Sequence, residues 1–103
     1  MGQEHSSIGV ILLVLQWTTS ANRDLVRLYD FLYPLNHRAA ARIVRQLVDA
    51  AEQLLAYPQL GECLTEFAPR NVRHLIVGDY ELRYELVDTT VTILRIWHCR
   101  EDR

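Results

Sequence analysis

The chain has 103 residues, half of them hydrophobic, with only four glycines and three prolines, so it holds one domain with one modest core. Its net charge of −2 argues against a general nucleic-acid binder, which carries a basic excess to displace counterions, but leaves room for a local basic patch. Two cysteines without CxxC spacing and four scattered histidines point to a reduced, cytoplasmic protein with no metal and no cofactor.

Residues 1–7 read as a flexible tail and 8–103 as a single domain. The apolar run Ile8–Leu15 is too short to cross a bilayer, which needs roughly 20 residues. Residues 1–7 contain no Lys or Arg, so a secretory signal is not expected either. Ile8–Trp17 is continuously apolar and predicts a strand buried on both faces, central or covered by helices. Thr18–Ser20 offers capping hydroxyls, and Leu25, Leu28, Tyr29 and Leu32 recur at helical spacing, which predicts a helix over 21–33, ended by Pro34. Asn36 caps a second helix over 37–56, with Ala40, Ile43, Val44, Leu47, Ala51, Leu54 and Leu55 on one stripe. The short link between them implies an antiparallel hairpin. Residues 62–71 are ambiguous between a loop and a short strand near 63–67.

Val72–Val77, Tyr80–Val87 and Val91–His98 predict three antiparallel strands. The expected fold is therefore α+β: an N-terminal strand, a helical hairpin, then a three-stranded meander in one sheet packed on the helices. Gly78-Asp79 suits a type II′ turn and sets the register. Leu75 then faces Leu82, Arg73 faces Tyr84, and on the other side His74 faces Arg83 and Ile76 faces Glu81. The next turn must be odd in length for the two faces to agree, because a two-residue loop would put Arg95 beside Leu82 in the core. A three-residue loop, pairing Val87 with Val91 and Tyr84 with Leu94, solves this.

The register yields two faces. Leu75, Val77, Leu82, Tyr84, Leu86, Leu94 and Ile96 would pack under the helices. The outer face carries the row His74, Arg83 and Arg95, flanked by Glu81 and Glu85, with Trp97 and Ile93 beside it. Like charges directly opposite are unfavourable, so the two arginines need an offset. Either the glutamates neutralise them, leaving a solvated face, or the face accepts an acidic partner, with Trp97 and arginine together typical of contact hot spots. Arg73 sits at the rim of the core face, where a structural partner and a site role are equally open. His98 is either an ordinary strand-end histidine or a general acid/base, and Arg100 a solvated charge or a phosphate contact.

The sequence resembles the RelE/ParE toxins of type II toxin–antitoxin systems. The matching features are Trp17-x-x-x-Ala21 leading to Asp24-Leu25, Tyr57-Pro58-x-Leu60-Gly61, Val72-Arg73, Tyr80-x-Leu82-x-Tyr84, and Ile93-Leu94-Arg95-Ile96-Trp97-His98-x-Arg100. They span residues 16–103. The resemblance implies a growth-inhibiting toxin, of the kind associated with plasmid stabilisation, held inactive by a cognate antitoxin. RelE-like members cut mRNA on the ribosome, and ParE-like members poison DNA gyrase without being nucleases. Three features favour the ParE-like branch: the chain ends at Arg103 without the C-terminal helix that bears a catalytic tyrosine, Glu81 stands where RelE-like toxins place a catalytic arginine, and the net charge suits ribosomal RNA poorly. The expected partner-binding residues are Arg83, Arg95, Trp97, His74 and Glu81. If the chain is instead a nuclease, the set is Arg73, His98 and Arg100, with ribosome and mRNA as partners. A non-toxic binding module is a third expectation. No membrane partner is expected, and a homodimer is compatible with so small a core.

Overall fold

A computed structural model describes residues 12–100. The expected tail, and the Ile8–Ile11 part of the expected first strand, lie outside these residues. In chain order the elements are β1 (Val14–Trp17), α1 (Thr19–Leu32), α2 (His37–Gln53), β2 (Glu62–Cys63), a 3-10 turn (Thr65–Phe67), β3 (Asn71–Val77), β4 (Tyr80–Val87) and β5 (Thr90–His98). The strands form one mixed sheet in the order β1-β5-β4-β3-β2, with β1 parallel to β5 and the other pairs antiparallel. The α+β class and the helical hairpin are as expected, but the sheet has five strands, because Glu62–Cys63 adds to β3 at His74 and Arg73.

Both helix starts follow from side-chain caps. Thr18 Oγ1 accepts the Ala21 amide at 2.9 Å and Asn36 Oδ1 accepts the Ala39 amide at 3.0 Å, satisfying donors that the helix itself leaves open. α2 stops three residues before the expected end. Its last carbonyls are taken by amides three residues on (Leu54 to Ala51, Leu55 to Glu52, Ala56 to Gln53), which tightens the final turn into 3-10 geometry.

β1 is an edge strand, not a central one. Leu13, Leu15 and Trp17 pack on the core, whereas Val14 is 52% exposed, so the apolar run alternates despite its uniform composition. Beyond Trp17 the chain leaves the sheet, yet the open edge of β5 is still satisfied. The Thr18 amide donates to Ile93 O at 3.0 Å, Thr18 Oγ1 donates to Leu94 O at 2.9 Å, and Asp24 Oδ2 accepts the Ile96 amide at 2.8 Å. The start of α1 thus takes over from β1 as the neighbour of β5.

The β3–β4 register is the expected one throughout, with Gly78 at φ 61°, the left-handed region a type II′ turn requires first. The β4–β5 connection differs. Val87 pairs with Thr90 across a two-residue loop whose first residue, Asp88, takes φ 53°, a conformation aspartate tolerates better than most side chains. The needed parity shift comes from a bulge between Arg83 and Tyr84: Tyr84 pairs with Ile93, Arg83 with Arg95, and Leu82 with Ile96. The bulge corrects the expected Tyr84–Leu94 pairing. Ile93 and Val91, not Leu94, fill the core, and Ile93 is fully buried rather than on the outer face.

Tyr84 fixes the link between helices and sheet. It is fully buried, its hydroxyl donates to Pro58 O at 2.8 Å, and it accepts the Gly61 amide at 2.8 Å. A Cβ on Gly61 would lie 2.6 Å from His74 O and 2.8 Å from the Tyr84 ring, so only glycine fits there. Burial raises the Tyr84 pKa, opposed by the hydrogen bond from Gly61 and by Arg73. Tyr84→Phe leaves the Gly61 amide without its acceptor and removes the donor to Pro58. The expected loss is about 2–3 kcal/mol of unfolding free energy by urea titration.

Candidate functional site

The outer face is organised by the cross-strand row Glu62, His74, Arg83 and Arg95, each paired with the next. The opposition of Arg83 and Arg95 stands as expected, and each arginine has its own carboxylate. Arg83 Nη2 donates to Glu81 Oε2 at 3.4 Å. Arg95 does not use a sheet glutamate: it reaches round the edge of β5 to Asp24, donating from Nε to Oδ2 at 2.8 Å and from Nη2 to Oδ1 at 3.2 Å. Glu85 is engaged elsewhere, with Arg70, which donates two hydrogen bonds at 3.0 and 2.8 Å. These bonds hold the Glu85 carboxyl below its usual pKa, against a smaller opposing effect of burial.

Aromatic rings complete the face. The Arg83 guanidinium lies 4.8 Å from the Trp97 ring and 5.3 Å from the Phe67 ring, held between the two, and Arg95 lies 5.7 Å from Trp97. Cation–π contacts of this kind contribute about 0.5–2 kcal/mol each, more as water is excluded. His74 sits between two carboxylates, Nε2 at 3.3 Å from Glu62 and Nδ1 at 3.4 Å from Glu81. Glu81 is 4% exposed and Trp97 8%, so the centre of this face is packed rather than solvated. Beside it, Ile76 is 54% exposed on β3. The structure therefore brings together all five expected partner-binding residues, Arg83, Arg95, Trp97, His74 and Glu81.

The residues expected for a nuclease are not brought together. Arg73 lies on the core face, donating from Nη1 to Gly61 O at 2.8 Å and from Nε to Asn71 Oδ1 at 3.0 Å, which ties down the same loop that Tyr84 holds. It is in register with Tyr84, four residues along β4 from Tyr80, the partner of His98. That is about 13 Å along the strand and two strands across. His98 stacks edge-on to Tyr80 at 5.1 Å, and its Nδ1 accepts the Arg100 amide at 3.0 Å, which places the neutral ring's proton on Nε2. Arg100 is exposed beyond β5. His98 does line a cleft of about 310 Å³ with Asp24, Arg27, Leu28, Phe31, Tyr80, Ile96 and Trp97. Among the described residues no group of three or more His, Cys, Asp or Glu is placed to hold a metal ion, and no helix is long and apolar enough to cross a membrane.

Three members of the site, Asp24, Phe67 and Glu62, are not among the residues expected from sequence. Asp24 enters the sequence reading through the family resemblance and not as a site residue, although its spacing from Ala21 and Leu28 (three before, four after) puts it on the inward stripe, where an acid needs a cationic partner. Phe67 lies in the segment that gave no clear periodicity, and no local signal aims it at Arg83.

Comparison with known proteins agrees with this architecture. Residues 15–103 match the family described as ParE toxin of type II toxin-antitoxin system, parDE. Toxin RelE2 of Caulobacter vibrioides is 35% identical over 83 residues, covering 80% of this chain and 90% of that protein. Toxin RelE1 of the same organism is 32% identical, covering 81% of this chain and 89% of that one. Among solved structures, the toxin–antitoxin complex RelBE2 of Mycobacterium tuberculosis is similar at TM-score 0.61 and 31% identity, covering 85% of this chain and 99% of that one. The chromosomal ParDE system of P. aeruginosa shares the fold at TM-score 0.71 and 24% identity, covering 84% of this chain and 96% of that one.

Asp24 is 3% exposed, accepts hydrogen bonds from Ile96 and Arg95, and forms an ion pair with Arg27 at 3.3 Å. Asp24→Ala orphans a buried amide and a half-exposed guanidinium, and is expected to cost about 2–3 kcal/mol in denaturant titration. Asp24→Asn keeps an acceptor for the Ile96 amide and is expected to restore part of that loss.

Proposed function

Since this chain belongs to the ParE toxin family of type II toxin–antitoxin systems, we propose that it inhibits growth by gripping a protein target, DNA gyrase, and is neutralised by a cognate antitoxin. The observation that carries the reading is the commitment of the arginines. Arg83 and Arg95 are each offset by a carboxylate and stacked on Trp97, and Arg73 is bound to a backbone carbonyl. RNA cleavage needs proton transfer and charge stabilisation at one phosphate, hence groups that converge. A packed face of aromatic rings and oriented arginines, rimmed by exposed Ile76, instead suits contact with protein. On this reading Arg83, Arg95, Trp97, His74 and Glu81 form the partner-binding face.

A ribosome-dependent mRNA endonuclease is the second reading. It is favoured by the names of the Caulobacter relatives and by the place of His98 in the cleft beside Arg27. The test is purified chain added to two assays, gyrase supercoiling and mRNA cleavage on translating ribosomes, with and without antitoxin. Inhibited supercoiling with accumulation of cleaved DNA, intact mRNA, and unchanged potency of His98→Ala and Arg100→Ala are expected. Cleaved mRNA, reduced about 100-fold or more by His98→Ala as for loss of a general acid or base, would overturn the gyrase reading. Growth inhibition in neither assay nor in cells would leave a non-toxic binding module.

A further inference from the structure

Every one of the eleven basic residues counted as Lys or Arg is arginine, and those on the sheet are committed to partners. Three on α2 are not. Arg38, Arg42 and Arg45 are exposed, at i, i+4 and i+7, and so share one ridge. Among the described residues none of the three has an ion pair, and Asp49, one turn beyond Arg45, forms no ion pair with it. Like charges at this spacing repel, and among the described residues neither Asp49 on the same helix nor Asp79, which lines a shallow pocket together with Arg42, forms an ion pair with them.

We propose that this ridge is a docking surface for an acidic helical segment of a partner protein. It is about 10 Å long, the length over which a second helix presents carboxylates at the same i, i+4 and i+7 spacing. Exposed Ala41 flanks the arginines and leaves that side of the ridge low enough for close approach. At its N-terminal end Leu35 is 71% exposed and offers an apolar anchor. Guanidinium forks match carboxylates in two-point contacts. A nucleic acid fits less well: the net charge of −2 opposes a long polyanion, and three cations on one helix ridge neutralise few phosphates. The helices cover one face of the sheet, so the ridge serves a contact separate from that of the outer face and independent of the target named above.

The test is fluorescence anisotropy of the full chain, at about 50 mM salt, where charges on the surface are weakly screened. The probe is a labelled helical peptide with glutamates at i, i+4 and i+7 and a leucine one turn before them. A glutamine version, a duplex DNA and an RNA hairpin are the comparators. The glutamate peptide is expected to bind at least about tenfold more tightly than the glutamine peptide, a difference of about 1.4 kcal/mol. The triple variant Arg38→Gln/Arg42→Gln/Arg45→Gln is expected to lose that margin while its helical circular dichroism and thermal midpoint stay unchanged. Equal binding of the two peptides, or undiminished binding by the variant, overturns the proposal. So does tighter, ridge-dependent binding of the DNA or RNA, which would assign the ridge to phosphate.

Discussion

The buried carboxylate of Asp24 sets the arrangement of the outer face. β1 ends at Trp17, level with Ile93, and the second half of β5 would otherwise present unpaired backbone to solvent. Asp24 accepts the Ile96 amide there and at the same time draws in the Arg95 guanidinium. One side chain therefore closes a sheet edge, joins α1 to β5 and offsets one of two arginines forced opposite each other by the register. Trp97 follows directly on Ile96, so its ring is held over Arg83, and Phe67 closes the other side. The shape of the face thus descends from a helix residue outside it.

A second constraint comes from the opposite side of the sheet. Tyr84 and Arg73 hold the segment from Pro58 to Gly61 through both of its polar ends. That segment leads into β2, whose Glu62 reaches His74 on the outer face. Core and outer face are therefore coupled through Gly61, where any side chain would collide with backbone. A surface assembled this way is pre-organised, which lowers the ordering cost of binding a partner. It also explains why Arg73, a candidate for chemistry by type, acts as a structural tie.

Much of this was legible in the sequence, for reasons that differ by element. The helix caps Thr18 and Asn36 and the Gly78 turn are local chemistry, and they appear where expected. The β3–β4 register follows from that turn and carries His74, Arg83 and Glu81 to one face. The β4–β5 register was right at Leu82 and Arg83 and wrong at Tyr84. Parity requires one extra residue, but local sequence does not say whether a loop or a bulge absorbs it. The fate of the charges was less legible still. The partner of Arg95 is 71 residues away in sequence, and such a pairing exists only once α1 lies against β5. The same holds for Phe67, whose ring reaches Arg83 across a turn without periodicity.

The central claim is that the outer sheet face, rather than the cleft at the end of β5, is the surface that grips a protein partner. Calorimetric titration of the cognate antitoxin into variants of the full chain tests it most directly. Ile76→Asp places a charge on the exposed rim of the face without entering the core. It should weaken binding about thirtyfold, or about 2 kcal/mol, with an unchanged thermal midpoint. His98→Ala/Arg100→Ala should bind as the parent chain does. Unaltered affinity in Ile76→Asp, together with a large loss in His98→Ala/Arg100→Ala, would contradict the account and move the recognition surface to the cleft at the end of β5.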